Sequence, residues 1–218
     1  MLADSAGATL IPRVVIVGGA GIGKTRLATC LSCLLDLPLI EEGVREWLRD
    51  RGERSPLHIS RLGQIALQHH VLRTKTVRER AMRKMGFVSD RSVVDAFSLL
   101  ALRIGRAGFD ALPSFTLEHA WDHATRVPSI VVLPPAPSNL DDDPARPSTF
   151  LMRRHEHMCI EHLAVATGRP ILRLTEGPTA EWLDMIYVAL RNSQTSITAP
   201  LPLGEAINLT ISLAKQPV

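Results

Sequence analysis

Eight residues, Gly18-Gly19-Ala20-Gly21-Ile22-Gly23-Lys24-Thr25, carry the most specific chemistry in the chain, filling the spacing Gly-x-x-x-x-Gly-Lys-Thr. Glycines without a Cβ let backbone N–H groups close around phosphate oxygens. Lys24 supplies a point charge for the β- and γ-phosphates, and Thr25 a hydroxyl for Mg²⁺. Arg26 follows at the start of a helix whose N-terminus favours an anion. A chance match in a glycine-rich turn is the competing reading. The apolar run Val14–Val17 before the motif and the helical pattern after it argue against that. The expected ligand is a nucleoside triphosphate, with Ala20 and Ile22 contributing backbone to its cradle.

Two further clusters stand at the ends of apolar runs. Glu41-Glu42 follows Pro38–Ile40, where an acid could take a proton from an attacking hydroxyl, hold a water on Mg²⁺, or simply stabilise a helix start. Asp90-Arg91-Ser92 follows Gly86–Ser89. Asp90 suits a Mg²⁺-organising acid, Arg91 is a planar donor for phosphate or carboxylate, and Asp90 and Ser92 also suit helix caps. The Pro- and Asp-rich segment 134–147 carries Asp141, Asp142, Asp143 and Arg146, with Arg153 and Arg154 behind it, and reads as a mobile lid. The histidines His69, His70, His155, His157 and His162 show no convergent metal spacing and read as surface or satisfied residues.

These clusters need a frame that brings strand ends together. Short apolar runs at 13–17, 38–41, 86–89, 129–133 and 170–174 alternate with helical patterns at 24–36, 43–51, 57–84, 92–105, 115–125, 149–167 and 178–191. That alternation predicts a three-layer α/β/α fold around a five-stranded, mainly parallel sheet, whose ligands lie outside the carboxyl ends of the strands. Residues 1–191 are expected as one domain, and residues 192–218 as a tail or an added edge strand.

At 218 residues with 45% hydrophobic content the chain can build a substantial core, and 4% aromatic content leaves that core to aliphatic side chains. A formal charge of +3, from 25 basic and 22 acidic residues, gives no global drive toward nucleic acid. The basic run Arg73, Lys75, Arg78, Arg80, Arg83 and Lys84 reads first as a solvated helix face and second as a surface for anions. Cys30 and Cys33 read as core packing on the first helix, and three cysteines suit a reducing, cytoplasmic setting. No signal peptide and no apolar run of membrane-spanning length is found. The long helix expected over 57–84 could also pack against a second copy of the chain.

In this order the motifs resemble the P-loop kinases of the nucleoside and nucleotide kinase type. Within them the chain is most similar to the small AAA-type ATPase and kinase family that includes nicotinamide-riboside kinase domains. Glu41-Glu42-Gly43-Val44-Arg45-Glu46-Trp47 looks like the acid-led stretch ending in Trp of deoxynucleoside kinases, with Gly43 where those carry Pro, and Ser89-Asp90-Arg91-Ser92 looks like their Asp/Glu-Arg-Ser motif. The resemblance implies an ATP- and Mg²⁺-dependent kinase acting on a small hydroxyl-bearing metabolite. It makes Glu42 a general base, with Arg91 holding the acceptor and the transferring phosphoryl group, and Asp90 joining Thr25 at Mg²⁺. Arg45, Gln64 and Gln68 then fall among the acceptor-binding residues, since the helix after the second strand lines that pocket. Two rivals are a nucleotide-dependent switch acting on a protein partner and a nucleic-acid-binding surface along the basic run.

Overall fold

A computed structural model describes residues 11–56, 58–127, 129–135, 149–191 and 198–216. Its centre is a sheet of five strands: β1 (Arg13–Val17), β2 (Leu39–Ile40), β3 (Phe87–Asp90), β4 (Ser129–Val132) and β5 (Ile171–Arg173). They lie in the order β2-β3-β1-β4-β5, and every neighbouring pair is parallel. A parallel sheet is covered on both faces, so β1 is almost wholly β-branched and buried.

The twofold alternation along β1 divides its side chains between two cores. Val14 and Ile16 join Leu27, Ala28 and Leu31 of α1 (Lys24–Leu35), together with Val88, Val131 and Ile186 of α8 (Thr179–Arg191). Val15 and Val17 point to the opposite face. There they meet a larger core built from α3 (Arg61–Met82), α4 (Val93–Ile104), α6 (Ser114–Ala124) and α7 (Phe150–Ala166). Phe97 of α4 anchors that face, stacked on Phe109 at 5.8 Å and edge-on to Trp121 at 5.9 Å.

Strand and helix bounds follow the sequence expectation to within a few residues, and β3 extends one residue further so that Asp90 is its last member. Two short helices complete the first half: α2 (Val44–Arg49), and α5 (Arg106–Asp110), which the hydrophobic pattern does not announce. Gly105, at φ +71°, ends α4 before the five-residue α5 begins.

The C-terminal segment differs from expectation. Leu203–Ala214 forms a helix, α9, and is neither an edge strand nor a loose tail. Ala206, Ile207, Thr210 and Ile211 recur at helical spacing and are buried against α4 and α7. Thr210 interrupts the apolar stripe but satisfies its hydroxyl on the Ala206 carbonyl at 2.7 Å. The approach to α9 is fastened by Trp121 Nε1 donating to the Leu201 carbonyl at 2.9 Å. His155 Nε2 lies 2.6 Å from the Leu213 carbonyl. Among the described residues no helix is long and apolar enough to cross a membrane.

Two readings of side-chain environment are also revised. Cys33 is exposed and Cys30 half-buried, so only Cys159 sits in the core, where burial pushes its thiol up to about 11. The basic run is not one solvated face either. Arg73 and Arg78 are exposed, whereas Lys75 is among the most buried side chains in the protein.

Candidate functional site

β1 stops at Val17 and the chain turns through the glycine loop onto α1. Gly18, Gly21 and Gly23 have φ of +143°, +78° and +87°, values that side chains with a Cβ rarely adopt. A Cβ on Gly18 would also fall 2.7 Å from Ile22 Cδ1. Ile22 itself turns inward to the smaller core, with Ala20 also buried, while Gly21, Gly23, Thr25 and Arg26 remain exposed. The loop is backed by α7, whose Arg153 carbonyl would lie 3.1 Å from a Cβ on Gly19. His157, one turn further along α7, has a buried Nδ1 with no hydrogen-bond partner among the described residues.

Lys24 folds back over the loop and donates to the Gly19 carbonyl. Its ammonium is buried, and burial is the main reason its pKa falls to about 8. Arg91 lowers it further, while Asp95, Glu156 and Glu42 act the other way.

The strand order places the remaining groups beside this loop. β3 lies next to β1 with Ile16 opposite Asp90, and Arg91 N–H donates to the Ile16 carbonyl at 2.9 Å. Asp90 Oδ2 therefore accepts from Thr25 Oγ1 at 2.7 Å. β2 lies on the far side of β3, which brings Glu42 to the same tip.

Arg91 sits at the centre of the cluster with a left-handed backbone, φ +65°. Its Nε lies 2.5 Å from Glu42 Oε1, and its Nη1 lies 3.3 Å from Asp95 Oδ1 and 3.4 Å from Glu156 Oε1. Burial opposes the guanidinium charge, but Glu42, Asp95 and Glu156 outweigh it and raise the pKa of Arg91 above its ordinary value. Asp95 is pushed up to about 6, chiefly by burial, against the pull of Arg91 and Lys24. It does double duty. One oxygen faces Arg91 and accepts from the Gly18 N–H at 3.4 Å, while the other accepts from the Ser92 N–H at 2.9 Å in a capping box that starts α4. The cap suggested for this strand end thus belongs to Ser92, and Asp90 is left to face Thr25.

Lys24 and Arg91 meet four carboxylates here: Glu42, Asp90, Asp95 and Glu156. When all are ionised, acids exceed bases by two, a balance that one divalent cation would restore. Among the described residues no three His, Cys, Asp or Glu side chains gather as a closed metal set. A hydroxyl and one carboxylate beside a phosphate cradle suit Mg²⁺, which keeps waters and shares substrate oxygens.

The expected acceptor residues fare unequally. Gln64 is turned toward protein partners: its Nε2 donates to the Pro56 carbonyl and its Oε1 accepts from Arg103 Nη1 at 3.1 Å. Gln68 is buried on the same face of α3, and Arg45 is exposed on α2. Arg146 and Asp141–Asp143 lie outside the described residues. Two members of the cluster escape the sequence reading, Asp95 and Glu156. Asp95 carried a signal in its three-residue offset from Ser92. Glu156 carried none, since it reaches Arg91 from α7 across 65 positions of sequence.

A glycine loop between a central parallel strand and its helix, flanked by acid-bearing strand tips, defines a P-loop protein. The model of the AAA domain family matches residues 13–181, and the chain belongs to that family. A comparison with curated protein sequences finds no match. Among solved structures, NadR protein in complex with NAD and AMP-PNP aligns at TM-score 0.64 and 16% identity, covering 87% of this chain and 52% of that one. NadR protein in complex with NR gives TM-score 0.64 and 16% identity over 88% and 53% of the two chains. Shikimate kinase from Acinetobacter baumannii in complex with shikimate aligns at TM-score 0.57 and 16% identity, over 86% of this chain and 97% of the other. The chain thus spans about half the length of the NadR structures. At these identities the likeness establishes the fold.

Proposed function

We propose that the protein is an ATP- and Mg²⁺-dependent kinase that transfers the γ-phosphoryl group to a hydroxyl of a small metabolite, of the nucleoside, nucleotide or related class. The observation that carries this reading is the meeting of Thr25, Asp90, Glu42 and Arg91 at the mouth of the glycine loop. A nucleotide-bearing NadR and a shikimate-bearing kinase with the same fold support it.

In this reading the loop N–H groups of residues 18–25 and the α1 N-terminus hold the triphosphate, and Lys24 leaves the Gly19 carbonyl for the β- and γ-oxygens. Thr25 and Asp90 would hold Mg²⁺, which would supply positive charge to the transferring group. Glu42 takes the acceptor hydroxyl proton as the new O–P bond forms and the β–γ bridging P–O bond breaks, releasing ADP. Arg91 is held by carboxylates through Nε and Nη1, so it orients Glu42 and offers Nη2 to the phosphoryl group. Arg45, Gln64 and Gln68 lie on the elements that flank the acceptor side. Gln64 acts there through Arg103 and the Pro56 turn, since its amide is already bonded to both.

The test is a screen of nucleosides, nucleotides and sugar alcohols with γ-labelled ATP, on wild type and Glu42→Gln. Wild type should label at least one acceptor, and the variant should lose about 10²- to 10⁴-fold in kcat, the range for a missing general base. ATP hydrolysis with no label on any small molecule would reject the kinase reading in favour of a nucleotide-dependent switch.

A further inference from the structure

β2 contributes two residues to the sheet, Leu39 and Ile40, at its edge, yet the acid that follows must be held in register with β3. Two paired residues are a weak hold on a strand end. The missing constraint comes from α3. Lys75 is 1% exposed, and its ammonium donates to the Ile40 carbonyl at 3.0 Å, to Ser89 Oγ at 2.9 Å and to the Asp90 carbonyl at 2.6 Å. An ammonium has three donors, and all three are used. Two of its acceptors are the backbone oxygens at the ends of β2 and β3, one step before Glu41-Glu42 and Arg91.

The acceptors are themselves held. Ser89 Oγ lies 2.7 Å from Glu79 Oε1 and 3.0 Å from the Arg91 carbonyl, and Glu79 Oε2 lies 2.6 Å from His123 Nε2 of α6. Glu79 is 1% exposed. Burial lowers the pKa of Lys75, and Glu79 and then Asp90 act against that. Burying an ammonium and a carboxylate carries a desolvation penalty that apolar packing would avoid. A polar network placed here serves geometry.

We propose that Lys75, backed by Ser89, Glu79 and His123, is a positioning residue that locks the tips of β2 and β3 together and so sets Glu42 and Arg91 against the glycine loop. It touches no reacting atom. The inference rests on the proposed kinase reading for its kinetic consequence and on the geometry alone for its structural one.

The test uses the full-length chain and three variants. In Lys75→Met, affinity for a non-hydrolysable ATP analogue in EDTA should stay within about threefold, because the glycine loop is untouched, whereas affinity in Mg²⁺ should fall as the Asp90 tip loosens. Its kcat should fall about 30-fold or more, as expected for misplaced reacting groups. Amide exchange at Glu41, Glu42 and Arg91 should quicken about tenfold or more. Leu72→Ala, a core truncation one turn away on the same helix, should lower the melting temperature while keeping kcat within about threefold. If Lys75→Met does not fold, Ser89→Ala takes its place, with an expected loss of about fivefold in kcat and faster exchange at Arg91. Unchanged kcat and exchange in the folded variant would overturn the proposal, as would an equal kcat loss in Leu72→Ala. If wild type transfers phosphoryl to no acceptor, kcat is read on ATP hydrolysis. If it turns over no nucleotide, the kinase reading fails while exchange at the two strand tips still decides the role of Lys75.

Discussion

Replacing Arg91 by Met removes the guanidinium that contacts three largely buried carboxylates, Glu42, Asp95 and Glu156. The side chains of Arg91, Glu42, Asp95 and Glu156 are 7%, 12%, 2% and 11% exposed, so water screens them little. Met keeps most of the volume, and the loss is therefore electrostatic. Breaking a buried ion pair by deleting one partner costs about 3–5 kcal/mol, because the remaining charge is left uncompensated. For a chain of this size that corresponds to a fall of about 6–20 °C in Tm. The loss must depend on pH. Without Arg91 the carboxyl of Asp95, already raised by burial, loses a partner that holds it down and titrates at still higher pH in the folded chain than in the unfolded one. Stability is then recovered as pH falls and the native state takes up protons first. Urea unfolding of wild type and Arg91→Met at pH 8 and pH 5 reads both quantities, and the gap between the two proteins should narrow at pH 5. A pH-independent loss below about 1 kcal/mol would mean the cluster behaves as a solvated surface pair, and the reasoning would fail.

Three further outcomes are expected. Thr25→Ala and Asp90→Asn should each weaken nucleotide binding about 10- to 100-fold in Mg²⁺ but little in EDTA, read by fluorescence of a labelled ATP analogue; equal losses in both conditions would contradict a metal role. Asp95, lifted to about 6 by burial, binds its proton in the native state before the unfolded chain does, so its contribution to stability should rise as pH falls from about 6 toward about 4. The difference in unfolding free energy between wild type and Asp95→Asn should show that slope, and a flat difference would exclude it. Trp121→Phe removes the donor to the Leu201 carbonyl and should cost about 1 kcal/mol, with faster hydrogen exchange across Leu203–Ala214. Unchanged exchange there would show that α9 is held by packing alone.

How much of this was legible in the sequence depends on whether a feature is local. The glycine loop is contiguous, and its flanking strand and helix are strongly patterned, so it reads directly. Glu42 and Asp90 were found because a parallel sheet sends its strand ends to one side. The offset of Asp95 from Ser92 signals a helix cap and says nothing of its second contact, with Arg91. Lys75 was disguised by composition. The buried stripe of α3 runs Gln64, Leu67, Gln68, Val71, Leu72, Lys75, Thr76 and Glu79, a helical period in which five of the eight inward residues are polar. Such a stripe looks like a solvated face until Ile40, Ser89, Asp90 and His123 arrive from elsewhere to satisfy it. α9 was lost for a related reason, since Thr210 and the prolines before Leu203 blur a periodicity that holds at Ala206, Ile207 and Ile211.

The most direct test of the central claim is a ³¹P NMR time course of ATP and Mg²⁺ with the protein and each acceptor that raises its melting temperature. The expected result is loss of the γ-phosphate signal matched one for one by a new phosphomonoester signal and ADP, abolished in Lys24→Ala. Accumulation of inorganic phosphate alone, or no consumption of ATP with any acceptor, would contradict a kinase that transfers phosphoryl to a small hydroxyl-bearing acceptor.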